Sequence, residues 1–288
     1  MSHIHKLFHK AADHGRSTQA SIQLPEEAFA PAAVAELAPA AVAEVAPFPE
    51  FPVDQARISP ANRLVYHVDP RSPAADKFRF LRMRLREYWT AGTLKKLLIT
   101  SPLAGDGKST VLLNLATALS ERGKRSVLVI EADLHHSSLA DNLKIRDSAG
   151  LAECLQDDSI SPLSHIRRVE PLGWHLLPAG EPRRNPTELL QTAALRLVLQ
   201  KVSASFDWIL IDSPPVVPLT DAIALQQHAD GSLLVVRADR TPREAIEQAL
   251  GLLGQKKIVG MVLNGIDRRH QHYYQQRYYD SGSRRDDD

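Results

Sequence analysis

The chain has 288 residues, 43% apolar and 24% charged, which suits one large globular domain with appendages and excludes a collagen-like or wholly disordered chain. Thirty-five basic against 34 acidic side chains leave a formal charge of +1, so no global field draws the molecule to nucleic acid or an anionic membrane. The single cysteine, Cys154, excludes an internal disulfide and a cysteine-based zinc site and fits a reducing compartment. There is no run of about 18 apolar residues to span a bilayer, and residues 1–15 lack the apolar stretch of a secretory signal. A soluble, cytosolic protein is expected.

Residues 3–15, HIHKLFHKAADHG, place Ile4, Leu7, Phe8 and Ala11 on one helical face. They read as a frayed terminus, or as a small docking or membrane-surface helix. The His3 and His5 pair lacks further ligands for a firm metal site. The duplicated octapeptides APAAVAEL and APAAVAEV follow, in a stretch punctuated by Pro25, Pro31, Pro39, Pro47, Pro49, Pro52 and Pro60. Prolines at this density break any helix, so residues 16–60 read as a semi-extended linker and residues 1–60 as a disordered Ala/Pro-rich segment. Within residues 61–92, the stretch 75–89 predicts an amphipathic helix with Phe78, Leu81, Leu85 and Tyr88 on one face and several arginines on the other. No aromatic-rich basic groove accompanies those arginines, so nucleic acid is not expected.

From residue 93 to 268 the pattern is regular. Strands are predicted at 94–101, 126–133, 174–180, 207–215, 231–239 and 257–267, with helices at 107–123 (closed by Gly123), 219–228 and 242–254. Asn185, Pro186 and Glu188 form a helix-start signal for 185–190. Continuously apolar strands alternating with helices define an α/β, doubly wound, mostly parallel sheet covered on both sides. Residues 269–288 follow as a flexible polar tail with Tyr273, Tyr274, Tyr278 and Tyr279, four of the chain's six tyrosines.

The segment SPLAGDGKST, residues 101–110, lies between a strand and a helix as a phosphate-binding loop must. Its glycines let backbone N–H groups converge on phosphate oxygens, Lys108 would reach the β- and γ-phosphates, and Ser109 would ligate Mg²⁺. Pro102 stands where the consensus has glycine. Asp212 ends the strand of FDWILIDSPP, while Glu131 and Asp133, two residues apart, end that of SVLVIEADL. Acids at these strand ends can organise Mg²⁺ and its waters at the switch-point edge. Asn264 ends the last strand, where its amide could read an adenine edge.

Residues 72–280 resemble the bacterial tyrosine kinases of exopolysaccharide synthesis, the BY-kinases, which share the P-loop fold of the ParA and MinD ATPases. The resemblance rests on KFRFLRMRL (77–85), SPLAGDGKST, VLVIEADL, GLAECL (150–155), LPAGEPRRNPTELL (177–190), FDWILIDSPPVVPLTDA (206–222) and the tyrosine-bearing tail. It implies ATP and Mg²⁺ as cofactors, with the phosphates held by Ala104, Gly105, Asp106, Gly107, Lys108, Ser109 and Thr110. Lys108, Glu131, Asp133 and Asp212 would be the catalytic set, Ser109, Asp133 and Asp212 would serve the metal, and Asn264 would lie near adenine. The four tail tyrosines would be phosphate acceptors delivered to a neighbouring subunit, and Asp76, Arg79 and Arg82 would support ring-shaped homo-oligomers. A membrane-bound polysaccharide co-polymerase that activates the kinase, a tyrosine phosphatase, and a cytoplasmic location with recruitment to the inner membrane are implied as well.

The chain departs from the family pattern at Glu131, where aspartate is usual, leaving Glu131 and Asp133 as alternative bases. His135 and His136 stand in place of basic residues and read as surface histidines. Two other readings compete. A ParA/MinD-like positioning switch would carry a lysine where this chain has Leu103. A nucleotide-binding regulatory subunit without catalysis is favoured by Glu131 alone.

Overall fold

The computed structural model describes residues 48–145 and 149–266. Among these described residues the strands are β1 (Val53–Gln55), β2 (Lys96–Thr100), β3 (Val127–Glu131), β4 (Arg167–Glu170), β5 (Trp174–Leu177), β6 (Trp208–Asp212), β7 (Gly231–Arg237) and β8 (Ile258–Asn264). They form one sheet in the order β1-β4-β5-β3-β6-β2-β7-β8. β4 and β5 pair antiparallel, and the other pairings in this sheet are parallel. The predicted doubly wound α/β fold is the one observed.

Why these strands lack a solvated face is visible in their alternation. Leu97, Ile99, Val127, Val129 and Leu210 enter the core on one side of the sheet. Their neighbours Leu98, Leu128, Ile130, Ile209 and Ile211 enter a second core on the other. The first side is covered by α2 (Pro73–Thr90) and α3 (Lys108–Leu119), reached through the short α1 (Val65–Val68). The second is covered by α5 (Leu151–Gln156), α7 (Ala193–Ser203) and α8 (Asp221–His228). The remaining helices are α4 (Leu139–Leu143), α6 (Pro186–Leu190) and α9 (Arg243–Leu253).

Several expectations change. Within the segment expected to be linker up to residue 60, Val53–Gln55 form β1 and join the sheet. β1 pairs with β4, Arg168 N–H donates to the Pro52 carbonyl (2.8 Å), and Ala56 N–H donates to the Glu170 carbonyl (2.8 Å). Phe51 stacks on Phe206 at 5.7 Å and meets His175 edge-on at 5.1 Å. Burial pushes the His175 imidazole down to about 4, so the ring is neutral. Two aromatic residues among the prolines supply the apolar area that the alanine-rich stretch before them lacks. A chain starting at residue 61 should therefore be less stable by about 2–4 kcal/mol, read as a lower denaturation midpoint than that of the full chain. An unchanged midpoint would mean that β1 contributes nothing.

The helix at 107–123 stops at Leu119, because Glu121 (φ 49°), Arg122 (φ 62°) and Gly123 (φ 81°) turn left-handed in succession. On α2, Phe78, Leu81, Leu85 and Trp89 face the core, whereas Tyr88 is exposed. Trp89 takes the place expected of Tyr88: it stacks on Trp208 and donates from Nε1 to the Asp207 carbonyl at 3.0 Å. Asn185 begins α6, but its amide bonds the Glu188 carboxylate instead of a backbone N–H. β1, β4, α1 and α7 are additions to the predicted elements, the first three being only three or four residues long, and the stretch after β3, expected to be helical or irregular to about residue 160, holds α4 and α5.

Candidate nucleotide and phosphoryl-transfer site

Parallel strands bring their C-terminal ends to one edge, and register aligns Ile99 and Glu131 with Asp212 across three adjacent strands. The phosphate loop leaves β2 at this edge and enters α3. Gly105 (φ 83°) and Gly107 (φ 94°) take conformations that L side chains resist. A Cβ on Gly107 would lie 2.1 Å from Asn264 Nδ2, so the close approach also requires glycine.

The loop is braced from three directions. Asp106 is buried; its Oδ2 accepts from Leu103 N–H (3.0 Å) and its Oδ1 from Thr241 Oγ1 (2.8 Å). Asn264 Nδ2 donates to the Asp106 carbonyl at 2.9 Å. Val216 N–H and Val217 N–H donate to the carbonyls of Ser101 and Pro102. Asn264 thus has a bracing contact that its expected place near adenine did not suggest. Thr241 lies outside every recognised motif and carries no sequence signal.

Lys108 Nζ lies 3.1 Å from Asp133 Oδ2 and 3.9 Å from Asp212 Oδ1. Burial opposes the ammonium charge, but Asp212 and Asp133 outweigh it and hold the group above its ordinary value. Burial pushes the Asp212 carboxyl up to about 7; Lys108 pulls it down, and Asp133 pushes it further up. Asp133 is fixed by His136 N–H, which donates to its Oδ1 at 3.1 Å.

Glu131 behaves differently from Asp133. Its Oε1 accepts from Leu139 N–H (2.6 Å) and its Oε2 from Ala179 N–H (3.3 Å), and it is 1% exposed. Burial raises its pKa against these backbone bonds. The extra methylene of glutamate lets the carboxylate reach the start of α4 and the loop after β5, while Asp133 faces Lys108. Of the two candidate bases, Asp133 is the one in contact with Lys108, and Glu131 is engaged by backbone N–H groups.

The motifs GLAECL and LPAGEPRRNPTELL meet beside Glu131. Leu151 N–H and Ala152 N–H donate to the carbonyls of Pro178 and Ala179. Glu153 accepts from Gly150 N–H, Glu181 N–H and the Arg183 guanidinium. His135 is not a free surface histidine, since its Nε2 lies 2.7 Å from Asp221 Oδ2, a fully buried carboxylate.

Among the described residues, no cluster of three His, Cys, Asp or Glu side chains could hold a metal by itself. Asp212 Oδ1, however, is buried without a hydrogen-bond partner. An orphaned carboxylate oxygen near Asp133, with Ser109 in the first turn of α3, suits a hard cation that keeps waters and phosphate oxygens as its other ligands, as Mg²⁺ does. Ala104, Gly105 and Gly107 precede α3 and Thr110 lies in its first turn, at a helix N-terminus where a polyanion is favoured.

The expected oligomerisation residues lie on α2, away from this loop. Asp76 pairs with Arg79, which also donates to the Pro70 carbonyl and lies over the Tyr66 ring at 5.5 Å. Arg82 donates to the Ala118 carbonyl at 3.1 Å and so ties α2 to α3. Phe80 and Met83 are exposed on the same helix. The acceptor candidates Tyr273, Tyr274, Tyr278 and Tyr279, and residues 1–47, lie outside the described residues.

A glycine loop opening a helix at the centre of a parallel sheet, with a lysine facing two strand-end acids, defines a P-loop nucleotide-binding protein of the ParA/MinD type. The family described as AAA domain matches residues 95–257. The chain is 29% identical over 199 residues to the tyrosine-protein kinase YwqD of Bacillus subtilis, spanning 68% of this chain and 83% of that one. With the tyrosine-protein kinase CpsD of Streptococcus agalactiae it shares 32% identity over 180 residues, 60% of this chain and 75% of the relative. The solved kinase domain of the Escherichia coli tyrosine kinase ETK superposes with a TM-score of 0.67 at 26% identity, covering 72% of this chain and 81% of that domain. The chain belongs to the bacterial tyrosine kinases, the BY-kinases, within the P-loop group whose MinD member from Pyrococcus horikoshii is solved with Mg-ADP. Its homologues include kinases of capsule and exopolysaccharide synthesis. It spans only 27% of a longer relative, the tyrosine-protein kinase ptk of Acinetobacter johnsonii.

Proposed function

We propose that this protein is an ATP-dependent protein-tyrosine autokinase that serves exopolysaccharide or capsule assembly. The observation that carries the reading is Lys108, held between Asp133 and Asp212 at the mouth of the glycine loop. Phosphoryl transfer needs positioning and charge neutralisation more than covalent chemistry from the protein. The loop N–H groups and Lys108 would hold the phosphates, and Ser109, Asp133 and Asp212 would hold Mg²⁺, which would supply charge neutralisation. A tyrosine hydroxyl has a pKa of about 10; Asp133, whose carboxylate faces the reacting end of Lys108, takes its proton. Glu131 orders the loop that carries Asp133.

The acceptors in this reading are Tyr273, Tyr274, Tyr278 and Tyr279, presented in trans by a neighbouring copy, with α2 contributing to the assembly through Asp76, Arg79 and Arg82. The partner is a membrane-bound polysaccharide co-polymerase that activates the kinase and recruits it from the cytoplasm to the inner membrane, and a tyrosine phosphatase reverses the modification. In support, the succinoglycan biosynthesis transport protein ExoP of Rhizobium meliloti matches over only 26% of its own length, as expected where kinase and transport part share one chain.

Changing the four tail tyrosines to phenylalanine should reduce phosphotyrosine to background after incubation with Mg-ATP and the activating partner. A wild-type tail supplied in trans should still be labelled by the variant. Undiminished phosphotyrosine mapped to Tyr66 or Tyr88 would place the acceptor elsewhere. ADP release without phosphotyrosine in the wild-type chain would favour a positioning switch.

A further inference from the structure

We infer that His135, Asp221 and Thr187 form a latch that positions the Asp133 carboxylate for the reaction. The inference rests on the reading of Asp133 as part of the phosphoryl-transfer site. Residues 132–138 form the loop between β3 and α4, and several hydrogen bonds anchor it. Glu131 takes Leu139 N–H, Asp133 takes His136 N–H, and His135 reaches across to Asp221 at the start of α8. Ala132 N–H also donates to the Asp212 carbonyl at 3.2 Å and Asp133 faces Lys108, so the His135 contact is the one that ties the stretch beyond Asp133 to α8.

The latch joins three motifs with no sequence proximity: the strand-end acids, the NPTELL helix through Thr187, and the PLTDA turn through Asp221. His135 Nε2 lies 2.7 Å from Asp221 Oδ2 and 3.4 Å from Thr187 Oγ1. Because a carboxylate only accepts, the ring proton sits on Nε2 and is shared with the threonine oxygen. One nitrogen serves both partners, so the arrangement relays no proton and has a positioning role. Asp221 is 0% exposed and its Oδ1 has no hydrogen-bond partner. A buried carboxylate so poorly satisfied is held by His135, and loss of that ring would leave it unpaired. α8 follows the loop from Asp212, so the latch adds a side-chain tie to the backbone bond from Ala132 N–H to the Asp212 carbonyl, beside the two acids that face Lys108.

The test measures ADP release, which needs no tyrosine acceptor, in the full chain with its activator. His135→Ala should lower kcat roughly tenfold or more, since small misplacement of a reacting group is costly, with the KM for ATP within about twofold. His135→Gln keeps an N–H donor and should recover most of kcat. His135→Ala with Asp221→Asn removes the orphaned charge and should restore the melting temperature but not kcat. A kcat for His135→Ala within twofold of wild type would overturn the latch. So would recovery of kcat along with melting temperature in the double variant, because a purely structural pair would behave in that way. Failure of the kinase reading is distinguishable: it would show as ADP release by the wild-type chain without phosphotyrosine, while His135→Ala still lowers kcat for ADP release and His135→Gln still recovers it.

Discussion

Lys108→Ala should cut phosphotyrosine formation roughly 10²–10³-fold, the range seen when a preorganised charge donor is removed from a transition state. The lysine is the first residue of α3 and its ammonium faces Asp133 and Asp212, away from the apolar core. The fold should therefore persist, with unchanged secondary-structure content. The change has a second, electrostatic consequence. Lys108 is the group that pulls the Asp212 carboxyl down against its burial. With the ammonium gone, that carboxyl rises further and Asp212 retains its proton to higher pH. Binding of Mg-ATP to the variant should weaken more at pH 6 than at pH 8, because a protonated acid is a poor ligand for a hard cation. Phosphotyrosine blots and calorimetric titration with Mg-ATP read the two effects separately. Near-normal phosphotyrosine in Lys108→Ala would remove the loop from the mechanism.

Most of the architecture was legible because buried parallel strands write continuous apolar runs, and glycine, lysine and strand-end acids leave a compact signature. Long elements such as α3 and β7 carried their own pattern. β1 did not: its three residues have no periodicity to detect, and the prolines around it favoured a linker. It is held by backbone bonds to β4 and by the Phe51 contact with Phe206, partners more than a hundred residues away. The site shows the same division. Lys108, Asp133 and Asp212 could be named from motifs, because chemistry restricts their residue types. The contacts that set their positions could not. Thr241 with Asp106, His135 with Asp221, and Glu131 with two backbone N–H groups depend on where distant loops return in space. Glutamate in place of aspartate at 131 suggested a displaced base. In the fold the carboxylate of Glu131 lies in a backbone cradle, and Asp133 and Asp212 are the acids that face the lysine.

Asp212→Asn should abolish transfer and yet stabilise the protein at alkaline pH. Burial raises the Asp212 carboxyl from 3.8 to about 7. Below about pH 4 the folded and unfolded chains both hold the proton, and this group does not oppose folding. Between about pH 4 and 7 the unfolded chain releases a proton that the folded chain keeps, so stability from this group falls as pH rises, until the loss is complete above the folded value. At pH 8 the native chain therefore carries a buried, incompletely paired charge that the amide lacks. The variant should melt higher than wild type at pH 8 by an amount equivalent to about 2–4 kcal/mol. The difference should shrink towards pH 5 and vanish near pH 4. Saturating Mg-ATP should reverse the order, because a bound cation stabilises the wild-type carboxylate and has less to bind in the variant. Thermal melts at pH 4, 6 and 8, with and without Mg-ATP, check each step. A variant that melts below wild type at pH 8 would make Asp212 a structural brace whose charge the fold requires. A variant with full phosphotyrosine formation would take the acid out of the site. Higher stability with lost activity is the expected pairing if the fold tolerates an unfavourable carboxylate to keep a cation-binding oxygen 3.9 Å from Lys108.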